Sequence, residues 1–312
     1  MKDRPMNDKY PFWPRIEHMR GQLTTVVDSL MIAFFLNRDQ CDDPGPAERA
    51  FAEFFGGIGH NKLHFFVDEE GYTEPLPATP MSIVQEYVVE QTVAGEIVDL
   101  VLLDTEQPGN RCQARYFHDP TISNPKWPDK KSFIWFRVSQ DMLLQGGMDE
   151  VLSFVDLLSG FLPYSYGYVS PALSYGHFFS DVLPYIRRYP GFDVVSQAAV
   201  ASDLNDRPLG AYWVNIFGPR LSDTLGGLDA LRAMLPKEAR VSPCGGEGSR
   251  VVLDQAPDVG DVNRGHNLPL YRALAATLRP HMRVPQIIYF EDEYGMADRA
   301  AQEAWHNRLF DD

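Results

Sequence analysis

Apolar residues fall along this chain in blocks whose period changes from place to place, and the changes delimit the elements. Thr24 to Leu36 is rich in Val, Ile and Phe and predicts a buried strand. Pro46 suits a first helical position. Ala50, Phe51, Phe54 and Phe55 then recur at helical spacing until Gly56 and Gly57 stop the helix. Leu63 to Val67 predicts a short strand, followed by an exposed turn over Asp68-Glu69-Glu70-Gly71-Tyr72, where charges and glycine resist burial. Thr79 before Pro80 resembles a helix cap. Ile83, Val84, Tyr87 and Val88 would form one apolar face of a helix from Met81 to Gln91, leaving Glu86 and Glu90 as a like-charge pair four residues apart. Strands are expected over 96–103, 112–117 and 132–138, antiparallel because the connections are too short for crossover helices.

Past Gly147 the pattern changes. Met148 to Leu162 predicts a helix, and Tyr164 to Val169 a strand. Pro171 is expected to open a helix carrying Leu173, Phe178, Val182 and Tyr185, closed by Pro190-Gly191. Ala211 to Phe217 predicts a strand, Leu221 to Leu225 and Leu228 to Leu235 a helical pair broken by Gly226-Gly227, and Val251 to Leu253 another strand. Leu270, Leu274 and Leu278 mark a helix from Pro269 to Leu278. A strand over 284–290 and an amphipathic helix over 297–310 complete the series. This order implies an α+β fold with antiparallel sheet layers covered by helices. The expected organisation is an N-terminal arm over 1–22 and a single domain over 23–312. The change near residue 147 allows two similar half-domains sharing one layer.

Length and composition agree with a globular protein: 312 residues, 44% hydrophobic and 12% aromatic, can fill a large core. The net charge of -15 disfavours nucleic acid as a direct partner, because the Lys and Arg residues are scattered and form no basic patch. From Leu63 to Asn110 there is no Lys or Arg, yet ten acidic residues lie there. A solvated acidic surface explains this segment, as does a patch that meets a basic partner. The charged, proline-interrupted start carries no secretory pattern, and no run is long enough to span a bilayer, so a cytoplasmic protein is expected. Cys41, Cys112 and Cys244 are too widely spaced for a disulfide framework or a structural zinc site.

Motifs that would carry chemistry are weak. His60 and His64 have metal-ligand spacing but lie in a loop-like context. Asp261-Val262-Asn263-Arg264-Gly265 begins like a calcium loop, with Arg272 where its final Glu should stand. Gly245-Gly246-Glu247-Gly248-Ser249 lacks the lysine of a phosphate loop. No cofactor and no metal are expected, and no nucleophile motif is present.

The residues W-V-N-I-F-G-P-R-L from Trp213, L-G-G-L-D-A-L-R from Leu225 and G-D-V-N-R-G-H-N-L-P-L-Y-R-A-L from Gly260 resemble the TsiV family of type VI secretion immunity proteins. The similarity extends back through Y-G-Y-V-S-P-A-L-S-Y-G (Tyr166 to Gly176) to the opening strand. The resemblance implies protection against a co-encoded toxin, typically a VRR-type nuclease, through direct binding in the cytoplasm. Interface residues do not transfer with it, since immunity surfaces are matched to individual toxins. Exposed acids beside aromatic anchors are therefore the candidate contacts: Asp68, Glu69, Glu70 and Tyr72, then Glu291, Asp292, Glu293 and Tyr294, with Glu86 and Glu90 second. The expected partner is a basic nuclease domain, with neither DNA nor membrane bound directly. The competing class is a hydrolase whose site forms only in the fold, using His60, His64 or His118 with a distant acid.

Overall fold

The computed structural model describes residues 13–37, 43–123, 130–176, 179–202, 204–282, 286–292 and 294–310. Its centre is β2 (Leu23–Leu36), a long strand buried from Thr25 onward. Burial on both faces explains why its sequence is almost continuously apolar. β2 pairs antiparallel with β8 (Tyr164–Tyr175) on one side and with β7 (Ser132–Val138) on the other. Beyond β7 follow β6 (Gln113–His118), β5 (Val98–Leu103), β3 (Phe65–Val67) and the terminal β4 (Thr73–Pro75). Beyond β8 follow β9 (Val214–Phe217), β11 (Gly248–Val252) and β10 (Arg240–Cys244), while β1 (Glu17–Arg20) pairs the start of β2. Among the described residues every strand pairing in this open eleven-stranded sheet is antiparallel, which fits the expected α+β class. One sheet thus joins strands from before and after residue 147, with β2 paired to both β7 and β8.

Helices cover the sheet through aromatic contacts. From the helix Gly45–Gly56, the rings of Phe51 and Phe54 lie 5.7 and 4.6 Å from that of Phe136 on β7. Phe154, from the helix Gln140–Ser159, reaches the same ring at 5.5 Å. Each such ring pair adds about 0.5–1.5 kcal/mol beyond simple burial.

Several expectations are corrected. No helix starts at Pro171, because β8 continues through it to Tyr175. The Pro171 carbonyl accepts from Asp193 N–H, on the side away from β2. A residue's N and C=O point to the same side of a strand, so the missing N–H removes no rung from the β2–β8 ladder. Only the tail of that expected helix forms, as Leu183–Arg188, and Phe178 lies outside the described residues. The helix expected from Met148 does follow Gly147, ending at Ser159, but an unexpected helix from Gln140 precedes it and the two meet in a kink at Gly147, whose φ of 75° suits glycine. The helix after Pro80 opens as α over Met81–Val84, widens to a π-helix over Gln85–Gln91 and closes as α over Thr92–Ala94.

Over 284–290 no strand forms among the described residues; Val284 and Pro285 lie outside them. There the side chain of Gln302 stands in for a neighbouring strand, its Oε1 accepting from Tyr289 N–H at 2.8 Å and its Nε2 donating to Ile287 O at 3.1 Å. The strand expected from Ala211 starts at Val214, because Asn215 folds the preceding turn. Its Nδ2 donates to Tyr212 O at 2.7 Å and its Oδ1 accepts from Tyr212 N–H at 3.3 Å.

Candidate functional site

The turn between β3 and β4 is built by its own sequence. Asp68 Oδ1 accepts from Tyr72 N–H at 2.7 Å, Asp68 N–H donates to Tyr72 O at 2.9 Å, and Gly71 takes the positive φ of 86° that closes the loop. Glu69 and Glu70 are thereby left in solvent with Tyr72. Glu69 Oε1 accepts from Gln91 Nε2 at 2.8 Å, which ties the turn to the π-helical segment. That segment turns Tyr87, Val88 and Thr92 inward and leaves Glu86 and Glu90 outside. Tyr87 records the gathering of charge: burial first, then Glu69, Glu86, Asp68 and Glu70, push its hydroxyl above the usual range. The structure thus brings Asp68, Glu69, Glu70, Tyr72 and Glu86 together, with Glu90 on the same segment. Among the described residues none of these acids forms an ion pair, whereas nearby Asp99 is held by Arg115 at 2.7 Å.

The second cluster repeats the turn. Asp292 N–H donates to Met296 O at 2.8 Å, Asp292 Oδ1 accepts from Tyr294 and Met296 N–H at 2.9 Å, and Gly295 has a φ of 77°. Tyr294 is fully presented to solvent, Glu291 bridges Ala297, and Glu293 lies outside the described residues. The two clusters do not meet. The first leaves the strand end marked by Val98, His118 and Leu36. Glu291 follows Phe290, whose ring lies 4.4 Å from Phe179, itself against Tyr175 at the opposite end of β8. Five strand steps separate β3 from β8, so the clusters lie on the order of 30 Å apart. That is about the full breadth of a standard protein interface.

The three candidate catalytic histidines also stay apart. His64 N–H donates to Leu103 O at one end of β5, while His118 pairs with Val98 at the other. His118 is buried, its Nδ1 2.9 Å from Ser132 Oγ, and burial lowers its pKa. His60 is exposed beside a cleft of about 570 Å³ that also holds Lys62 and Glu150, with no Ser, Thr or Cys among the described residues of its lining. Among the described residues no group of three or more His, Cys, Asp or Glu side chains is placed to hold a metal ion. Nor is any helix among them long and apolar enough to cross a membrane.

A family profile described as TsiV, type VI immunity for VRR-NUC, matches residues 47–309. The chain belongs to the TsiV family. The T6SS protein PA0821 of Pseudomonas aeruginosa shares the fold, with a TM-score of 0.79 over 96% of this chain and 88% of that one. At 17% identity, that likeness speaks for architecture alone. No curated protein sequence matches this chain.

In this TsiV chain the residues that carried the resemblance hold the fold. Trp213 Nε1 donates to Asp254 O at 2.9 Å, and Asn215 shapes the turn before β9. A Cβ on Gly218 would lie 2.6 Å from Tyr164 O, so β8 and the end of β9 meet only through glycine. The acidic turns lie outside those motifs. Val93 and Ile97 are exposed; the sequence placed Ile97 inside a strand from Glu96, whereas β5 starts at Val98.

Proposed function

We propose that this TsiV protein binds the VRR-NUC nuclease toxin of its own system and blocks it in the cytoplasm by occlusion, making and breaking no bond. The observation that supports the reading most is the gathering of Asp68, Glu69, Glu70 and Glu86 around Tyr87, with no cation paired to them among the described residues, in a chain of the TsiV family. A nuclease must present a cationic surface to DNA. A carboxylate-rich protein is drawn to that surface and repels DNA itself. Glu291, Asp292, Glu293 and Tyr294 form a separate candidate contact, and Glu90 extends the first.

The test is DNA cleavage by the toxin's nuclease domain, titrated with this protein at low and moderately high salt. Stoichiometric inhibition that forms more slowly as salt rises is the expected result. Full cleavage with no detectable complex sinks the proposal.

A further inference from the structure

Three large apolar side chains from three different elements stand in solvent at one corner of the sheet: Tyr72, Val93 and Ile97, at 67%, 66% and 65% exposure. Tyr72 closes the β3–β4 turn, Val93 ends the helix after Pro80, and Ile97 leads into β5. Two hydrogen bonds hold the corner together: Glu69 accepts from Gln91 Nε2, and Glu96 N–H donates to Gln91 O at 3.0 Å. Lone exposed apolar residues are ordinary, but here three belong to segments tied together at Gln91, and the same segments carry Asp68, Glu69, Glu70, Glu86, Glu90 and Glu96. None of the six forms an ion pair among the described residues. An apolar centre with a charged rim is the anatomy of a protein interface, and a rim of one sign selects the partner's charge.

We infer that this corner, centred on Tyr72, Val93 and Ile97, is the docking core for a basic protein face with an apolar spot at its middle. The inference rests on the immunity reading and makes that face the nuclease surface. A second copy of this chain would bring acid against acid, and an anionic membrane or nucleic acid would be repelled by the same rim. The turn at Asp292 is followed in the chain by Arg299, bonded to Gln286 O and paired with Glu303, so both signs of charge attend it. The π-helical segment contributes by keeping Tyr87 and Val88 in the core while Glu86 and Glu90 face out. Such segments recur at functional sites.

The experiment measures binding of the purified nuclease domain to wild type, to V93R/I97R, to Y72A, and, as a control, to M234R, an exposed position outside both acidic turns. The positions are exposed, so melting temperatures should stay near wild type. Expected are at least tenfold weaker binding for V93R/I97R and Y72A, wild-type affinity for the control, and slowed amide exchange over 85–97 in the wild-type complex. Wild-type affinity in V93R/I97R, with no exchange protection over 85–97, overturns the docking core while leaving the immunity reading intact. Absence of binding by wild type removes the immunity reading itself. Self-association of wild type that V93R/I97R abolishes assigns the corner to a second copy and overturns the inference as well.

Discussion

Trp13 donates its indole N–H to Asp28 Oδ2 at 2.9 Å, and both side chains are fully buried. Asp28 also accepts from Ile16 N–H at 2.8 Å and from Gln140 Nε2 at 2.9 Å, with Arg15 and Arg111 guanidinium nitrogens each at 3.9 Å. One carboxylate on β2 therefore fastens the segment before β1, the start of the helix Gln140–Ser159 and the β5–β6 connection. Replacing it with alanine takes the shared acceptor from three buried donors and a buried anion from beside Arg15 and Arg111, which keep Asp141 and Glu17 at 3.1 and 3.2 Å. Asp28→Ala should cost roughly 3–5 kcal/mol, and Trp13→Phe about 1 kcal/mol. Urea unfolding checks both, with the larger loss required at Asp28.

The sequence foretold the elements that rest on strong periodicity. Leu270, Leu274 and Leu278 marked the helix Pro269–Leu278, and the apolar run before Leu36 marked the central strand. It misplaced those decided by distant partners. Pro171 reads locally as a helix start, but its place in β8 is set by β2 and Asp193. Tyr289 reads as strand, yet its N–H bonds to the side chain of Gln302. The charge of the first acidic turn was legible, whereas its union with Glu86 depends on the Glu69–Gln91 bond and on a π-helix that no local pattern announces.

His306 supplies a pH dependence. It is buried with Nε2 2.8 Å from Tyr289 OH, and burial lowers its pKa from the ordinary histidine value of 6.5 to about 3. Below pH 6.5 the unfolded chain takes a proton that the folded chain refuses. The stability is fully present above that pH and is lost progressively as pH falls toward about 3. Between pH 7 and pH 5 the loss should be about 2 kcal/mol. His306→Gln should flatten that part of the profile, as measured by urea unfolding at each pH. An unchanged slope in the variant would assign the acid sensitivity elsewhere.

Gly218 should tolerate no side chain. A Cβ there meets Tyr164 O at 2.6 Å and Ser165 O at 2.8 Å, backbone atoms that cannot swing aside. Gly218→Ala forces β8 and β9 apart and should cost roughly 1–3 kcal/mol. The urea midpoint should fall with little change in slope, and an unshifted midpoint would show that the junction can relax.

Charge and apolar contact at the β3–β4 corner should separate kinetically. Glu69, Glu70 and Glu86 lie on the rim and act at a distance, so they govern how fast a basic partner arrives. Val93 and Ile97 act only on contact and govern how long it stays. Reversing the three acids to lysine should lower the association rate with the nuclease domain by about tenfold or more and flatten its salt dependence. V93R/I97R should act chiefly on dissociation. Stopped-flow association and surface-based dissociation at two ionic strengths distinguish the two effects. An association rate unaffected by the triple reversal would mean that the carboxylates around Tyr87 do not steer the encounter.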